Sequence, residues 1–193
     1  MTIVLETVSG KLIDPNNIDP TLIDINDIGW SLSRINRFSG HTVTTIPYSV
    51  AQHCVFVAEM LEEAGHNKHI VTFGLLHDAA EYAIGDIPSP VKKIPELQAV
   101  IDPIEERILN AIYVKFVGSA PTSHDWSIVK YYDKRAQFIE AYTFMSSRGL
   151  NWIGRGKHDI SLIDIQSFPE PVPAIDAYQA FINKFNELQN TGI

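Results

Sequence analysis

Apolar residues recur along most of this chain at steps of three and four, the spacing of a single buried face on an α-helix. Ile25, Ile28, Leu32 and Ile35 mark a first helix over about Asp24 to Phe38, stopped by Gly40. A second starts at Ser49, where Ser49 and Gln52 form a capping-box pattern, and ends near Gly65. The third runs from about Asn67 to Gly85 with Ile70, Phe73 and Leu76 on its apolar side. Asp102-Pro103, with Glu105 following, marks the start of a fourth that stops at Gly118. A fifth spans about Ser123 to Arg148 ahead of Gly149, and a last occupies Ala174 to Gln189. Only Val4 to Ile13 alternates with a period of two, around Ser9-Gly10, and it predicts a small β-hairpin. Gly85 to Pro95 and Asn151 to Pro173, rich in Gly and Pro, read as ordered loops. The pattern predicts an all-α bundle with a small N-terminal β-hairpin. With neither a repeat nor a linker-like stretch, residues 1–193 read as one domain.

Several positions on the predicted apolar faces hold the wrong kind of residue. His77 lies on the stripe of Ile70 and Phe73, and Glu81 follows it by one turn. His53 sits between Val50 and Val57, and Asp133 shares a face with Trp126, Val129 and Ala136. Burying an imidazole or a carboxylate costs free energy unless it is paired or bound to a cation. Neighbours on a helix, His77 and Asp78 point about 100° apart, yet side chains of that length can converge on one ion. Three helices thus each carry a metal-capable group inward. Two imidazoles and two carboxylates form a mixed N/O set that suits Mn, Co, Fe or Zn, and Mg less well. Such a site leaves positions for a water and a phosphate oxygen.

The formal net charge of -8 argues against a partner such as duplex nucleic acid, whose phosphates need a basic surface. A local basic cleft for a small phosphorylated molecule is compatible with it. The single cysteine, Cys54, excludes an internal disulfide and cysteine-based zinc modules. Neither a secretory pattern over Met1 to Leu12 nor a run of about 18 apolar residues is present, so the expectation is a cytoplasmic protein with no membrane partner.

The set His53, His77-Asp78 and Asp133 resembles the H…HD…D signature of the HD-domain phosphohydrolases. The stretch Leu75 to Glu81, followed by Gly85-Asp86-Ile87-Pro88-Ser89-Pro90-Val91-Lys92, is similar to the core of their bacterial 5′-deoxynucleotidase branch. Ile35-Asn36-Arg37-Phe38 resembles that branch's phosphate-binding segment, and Val129-Lys130 the approach to its last ligand. With Tyr48 to His53, the chain looks most like phage-encoded members, which would place it in a host cytoplasm. The resemblance spans roughly Asp24 to Tyr142 and implies an HD-domain helical bundle with one divalent metal (Co, Mn, Zn, Fe or Mg) on His53, His77, Asp78 and Asp133. It implies that Glu81 handles the attacking water and the leaving oxygen, and that Asp86 assists in proton transfer or holds the ribose. Arg37, Lys92, His41 and Lys130 would meet the substrate, a deoxynucleotide, with Arg37 and Lys92 neutralising phosphate. The implied reaction is a triphosphohydrolysis of dATP; the alternative is a 5′-deoxynucleotidase acting on monophosphates. A homo-oligomer, a dimer or larger, is implied as well.

Blander readings stand beside these. Asp86 can be a turn residue after Gly85, and Arg37 a cation at a helix C-terminus. Lys92 and Lys93 can be a solvated pair, and His41 a surface histidine. Trp30, Phe38 and Trp152 can stack on a base or pack in the core. Glu105 and Glu106 read as helix-start charges. A nucleotide-binding regulatory module without turnover would need the same fold, but not Glu81 beside the ligands. A di-iron oxygenase would need further histidine ligands for a second metal.

Overall fold

Ala51, Cys54, Val57, Ala58 and Leu61 of α2 (Val50–Glu63) form one arc with no solvent exposure, buried Met60 widens it to about half the helix, and that places α2 at the centre. In this computed structural model, which describes residues 4–152, 168 and 170–190, α3 (Lys68–Leu76), α7 (Ser123–Phe144) and α8 (Ala174–Asn190) pack around it. α1 (Ile25–Leu32) packs against α8, and α6 (Pro95–Val117) against α3. The hairpin forms as expected, β1 (Leu5–Glu6) antiparallel to β2 (Leu12–Ile13) with Leu5 opposite Ile13. Its tip is fastened to α1, where buried Asp27 accepts from the Ser9 amide at 3.0 Å and the Ser9 hydroxyl at 2.7 Å. No helix among the described residues is long and apolar enough to cross a membrane. The expected loop Asn151 to Pro173 lies mostly outside the described residues.

Four stretches depart from the periodicity, and the first two departures have a local cause in side-chain bonds to the backbone. The first helix stops at Leu32, because the Ser33 hydroxyl and Arg34 Nη1 both donate to the Trp30 carbonyl. Chain beyond it then pairs with the entrance to α2: Arg37 N donates to Tyr48 O and Val50 N to Ile35 O. This places Arg37 beside the start of α2. The third helix also breaks, ending at Leu76 and resuming as the short α4 (Glu81–Ile84). Here the His77 imidazole donates to the Gly74 carbonyl at 2.7 Å, and the backbone tightens into turns such as Glu81 N to Asp78 O. The Asp102-Pro103 pair is no helix start. α6 begins at Pro95 and carries Pro103 internally on an exposed position, giving up one helical hydrogen bond. The expected loop Gly85 to Pro95 contains another short helix, α5 (Ser89–Lys92).

The remaining boundaries follow their caps. Ser49 accepts from Gln52 N at 3.3 Å, but the Gln52 side chain does not turn back to complete a capping box. Its amide instead spans to the tail, donating to Glu170 O and accepting from Val172 N, each at 3.3 Å. Thr122 and Asp125 form a reciprocal capping box at the start of α7. That helix ends at Phe144, four residues before the expected Arg148, where Val43 N takes the Phe144 carbonyl.

Gly74 fixes how closely α2 and α3 approach. A Cβ there would lie 2.2 Å from Leu61 Cδ1, a fully buried side chain with little room to move. Gly74→Ala is therefore expected to destabilise the fold by about 1–3 kcal/mol, the usual cost of overpacking. Chemical denaturation would show it as a lowered midpoint at unchanged slope.

Candidate metal centre

The break after α3 brings the side chains of its last residues together with those of α2 and α7. His53 enters from the first turn of α2, His77 and Asp78 from the tightened turn, and Asp133 from α7. His53 Nε2 and His77 Nε2 are 3.2 Å apart. Asp78 Oδ2 lies 3.2 Å from His77 Nε2 and 3.5 Å from His53 Nε2. Asp133 Oδ1 lies 3.3 Å from His53 Nε2 and 3.6 Å from His77 Nε2. Donors bonded to one zinc-sized ion at about 2.0–2.2 Å stand roughly 3.0–3.6 Å from each other, so these spacings fit a shared cation. His53, His77 and Asp133 each place a donor atom within 4.8 Å of the other two. Asp78 Oδ2 approaches the same two nitrogens, at 3.2 and 3.5 Å, beside that three-donor group.

Electrostatics support the same reading. Around this point Asp78, Asp133 and the fully buried Glu140 face Arg37 and Lys130. Burial works to lower the His77 pKa, but Asp78 and Asp133 raise it to about 10. Burial would raise both carboxyl groups, yet His77 holds Asp78, and Lys130 with both imidazoles holds Asp133, well below the ordinary carboxylate range. A buried set this rich in ionised carboxylate favours a cation.

Glu81 behaves differently. Burial, reinforced by the charges of Asp78 and Asp86, pushes its pKa well up, and its Oε2 is buried with no hydrogen-bond partner among the described residues. Asp86 is raised too, mainly by burial, and the Arg37 charge opposes the rise. Arg37 is itself buried, with Nη1 3.5 Å from Asp78 and Nη2 3.3 Å from Glu140. It projects from a turn, Arg37–Gly40, in which Phe38 and Ser39 hold φ of 55° and 52°. Side chains in that region cost about 1–2 kcal/mol per residue, a strain found mostly at functional turns. His41 closes this turn and is exposed, outside the buried cluster.

A cleft of about 510 Å³ leads from His77 between α6 and α7, lined by Lys92, Glu105, Tyr113, Trp126 and Lys130. That volume suits a small phosphorylated ligand. Lys130 Nζ is 3.2 Å from Asp133, and Lys92 is ion-paired with Glu105. Glu105 is therefore a mid-helix residue on the cleft wall, not a helix-start charge. The aromatic residues pack among themselves: Trp30 against Tyr178 at 5.4 Å and Phe38 against Trp152 at 5.8 Å, both edge-on.

A further buried carboxylate, Glu140, stands at this centre beside the residues expected from the sequence. Glu140 lies seven residues after Asp133, two turns along the same face of α7, and Ala136 falls between them. That spacing was a usable signal, since a carboxylate in register with a buried Asp has to be paired inside.

Comparison with known proteins bears on the whole assembly. The family described as 5′-deoxynucleotidase YfbR-like matches residues 29–149. A protein of Escherichia coli, YfdR, uncharacterized, is 30% identical over 198 residues, covering 95% of this chain and 94% of its own. The dATP triphosphohydrolase of Cyanophage S-2L is 32% identical over 127 residues, 61% of this chain and 67% of that protein. An uncharacterized Rhodobacter capsulatus protein is 33% identical over 111 residues, and the match spans 56% of its length. Among solved structures, the Cyanophage S-2L HD phosphohydrolase (DatZ), bound to dA and one catalytic Zn2+ ion, shares 22% identity. It aligns over 85% of this chain and 96% of its own with a TM-score of 0.46. The matched family, which spans well over half of the chain, defines a nucleotide phosphohydrolase of the 5′-deoxynucleotidase class. Within that class, the chain belongs to the YfbR-like 5′-deoxynucleotidase family.

Proposed function

We propose that the protein hydrolyses deoxynucleotides at a single divalent metal held by His53, His77, Asp78 and Asp133, with dATP as substrate and deoxyadenosine and triphosphate as products. The observation that carries the metal assignment is the convergence of His53, His77 and Asp133 donors at 3.2 to 3.6 Å, with Asp78 Oδ2 at 3.2 and 3.5 Å from the same two nitrogens. Mixed nitrogen and oxygen donors favour Zn, Co, Mn or Fe over Mg. When bound, the metal supplies a water of lowered pKa and polarises the phosphorus.

The chain's own residues do the rest. Arg37 neutralises a phosphate oxygen, and Lys92 and Lys130 line the cleft that would take the remaining phosphates. Water adds to the α-phosphorus as the bond to O5′ breaks, so a proton must reach O5′. Glu81, whose pKa burial and its negative neighbours push up, is suited to deliver it, and the resulting carboxylate to take a proton from the next water. Asp86 shares that proton traffic or holds the ribose, and His41 can reach only the outer part of a bound substrate from its exposed position.

Support for the triphosphate comes from the similarity to the cyanophage dATP triphosphohydrolase. The description of the matching family favours a second reading, a 5′-deoxynucleotidase acting on monophosphates. Both reactions attack the same phosphorus. Purified protein supplied with Mn2+, Co2+ or Zn2+ and offered dATP or dAMP decides between them. Tripolyphosphate from dATP supports the proposal, and orthophosphate from dAMP alone replaces it with the second reading. Tight nucleotide and metal binding without any product would point to a regulatory module. A cytoplasmic, homo-oligomeric protein is part of the same proposal.

A further inference from the structure

Each imidazole of the centre turns Nε2 towards the other ligands, and its second nitrogen must be held by an acceptor for that orientation to persist. For His77 the acceptor is the main chain, the Gly74 carbonyl at 2.7 Å. For His53 it is a side chain from another helix: Glu140 Oε1 lies 2.5 Å from His53 Nδ1. The other oxygen, Oε2, lies 3.3 Å from Arg37 Nη2. Neither the Glu140 nor the His53 side chain has any solvent exposure.

A carboxylate in that position persists only with partners that satisfy it, and breaking such a pair leaves a buried charge uncompensated. Two of the groups around Glu140 belong to different tasks. His53 is a proposed metal ligand, and Arg37 the proposed phosphate-neutralising residue. Glu140 follows Asp133 by two turns, about 10.5 Å along α7. One face of one helix therefore supplies a ligand directly and, behind the neighbouring ligand, its support.

We propose that Glu140 is a positioning residue: it fixes His53 as the Nδ1–H form with Nε2 free for the metal, and it anchors Arg37 at a set place beside that metal. This rests on the reading of the cluster as a metal centre and deepens it, since a single carboxylate then governs both metal retention and phosphate placement. The arrangement needs no change of protonation during turnover.

Glu140→Gln keeps the shape and an acceptor but removes the charge that both partners use. Co2+ and Zn2+ affinity of the variant, measured by chelator competition on the metal-free protein, is expected to fall about 10- to 100-fold, the scale for losing an outer partner of a metal-bound histidine. The Co2+ visible spectrum should change with it, and the KM for dATP or dAMP should rise as Arg37 loosens. A merely structural role would lower the thermal midpoint while leaving metal affinity as in the wild type, and that result overturns the proposal. Wild-type protein that takes up no metal defeats the metal-centre reading itself; wild type that binds while Glu140→Gln binds equally well defeats only the role of Glu140. Should the variant not fold, nitrogen-15 NMR of zinc-loaded wild type decides. A slowly exchanging, downfield Nδ1 proton on His53 with zinc on Nε2 supports the proposal, and zinc on Nδ1 overturns it.

Discussion

Replacing His77 with alanine is expected to abolish metal uptake and turnover together. His77 Nε2 stands 3.2 Å from both His53 Nε2 and Asp78 Oδ2 and 3.6 Å from Asp133 Oδ1, so its loss removes one of the two nitrogens that face every other donor. The damage goes beyond one ligand, because the imidazole also holds the Gly74 carbonyl and so shapes the turn that presents Asp78 and Glu81. Polarisation by a metal is worth several kcal/mol at the transition state, which corresponds to a loss of about 10³-fold or more in kcat/KM. Elemental analysis of the variant, beside assays with excess metal, checks both halves. A variant that retains one tightly bound ion per chain would remove His77 from the ligand set. Proton linkage gives a companion measurement. The His77 pKa of about 10 means that metal must displace a proton at neutral pH, so affinity should strengthen as pH rises towards that value. In the metal-free protein the sign is opposite: the stability from this imidazolium is complete below its ordinary 6.5 and is lost as pH rises through about 10.

Glu81→Gln should separate metal binding from catalysis. The substitution keeps the shape of the neutral acid, which burial and the charges of Asp78 and Asp86 favour at this position, but cannot pass a proton. Metal content should stay at the wild-type level while kcat falls by about 10²–10⁴-fold, the usual worth of general acid–base catalysis. Glu81 sits among the ligands without touching them in any hydrogen bond described here, so a fall in metal affinity would not be expected. An undiminished rate would exclude it from proton transfer and leave its orphaned oxygen as a binding group only.

How much of this was legible beforehand depended on where periodicity and tertiary contact agreed. Helix α2 and its cap at Ser49, the hairpin about Ser9-Gly10, and the burial of His53 and His77 all followed from spacing, because the same apolar faces that form the helices also bury them. The break after Leu76 was not visible. The run from Ile70 to Glu81 keeps helical spacing, and only the His77 imidazole, by donating to the Gly74 carbonyl, tightens the backbone there. Asp102-Pro103-x-Glu105 carries the pattern of a helix start, since a proline suits the first turn, but here its missing amide is tolerated on an exposed face inside α6. Glu140 escaped notice because a lone glutamate on a long helix is ordinarily solvated. Its partners, His53 and Arg37, lie 87 and 103 residues away along the chain.

The grip of Gln52 on the tail has a practical consequence. Gln52 precedes His53, and its side-chain oxygen receives the amide of Val172 from a segment far along the chain. That amide is thus a remote reporter. Its hydrogen–deuterium exchange should slow when a ligand stiffens the start of α2, giving a readout of occupancy that needs neither a chromophore nor turnover.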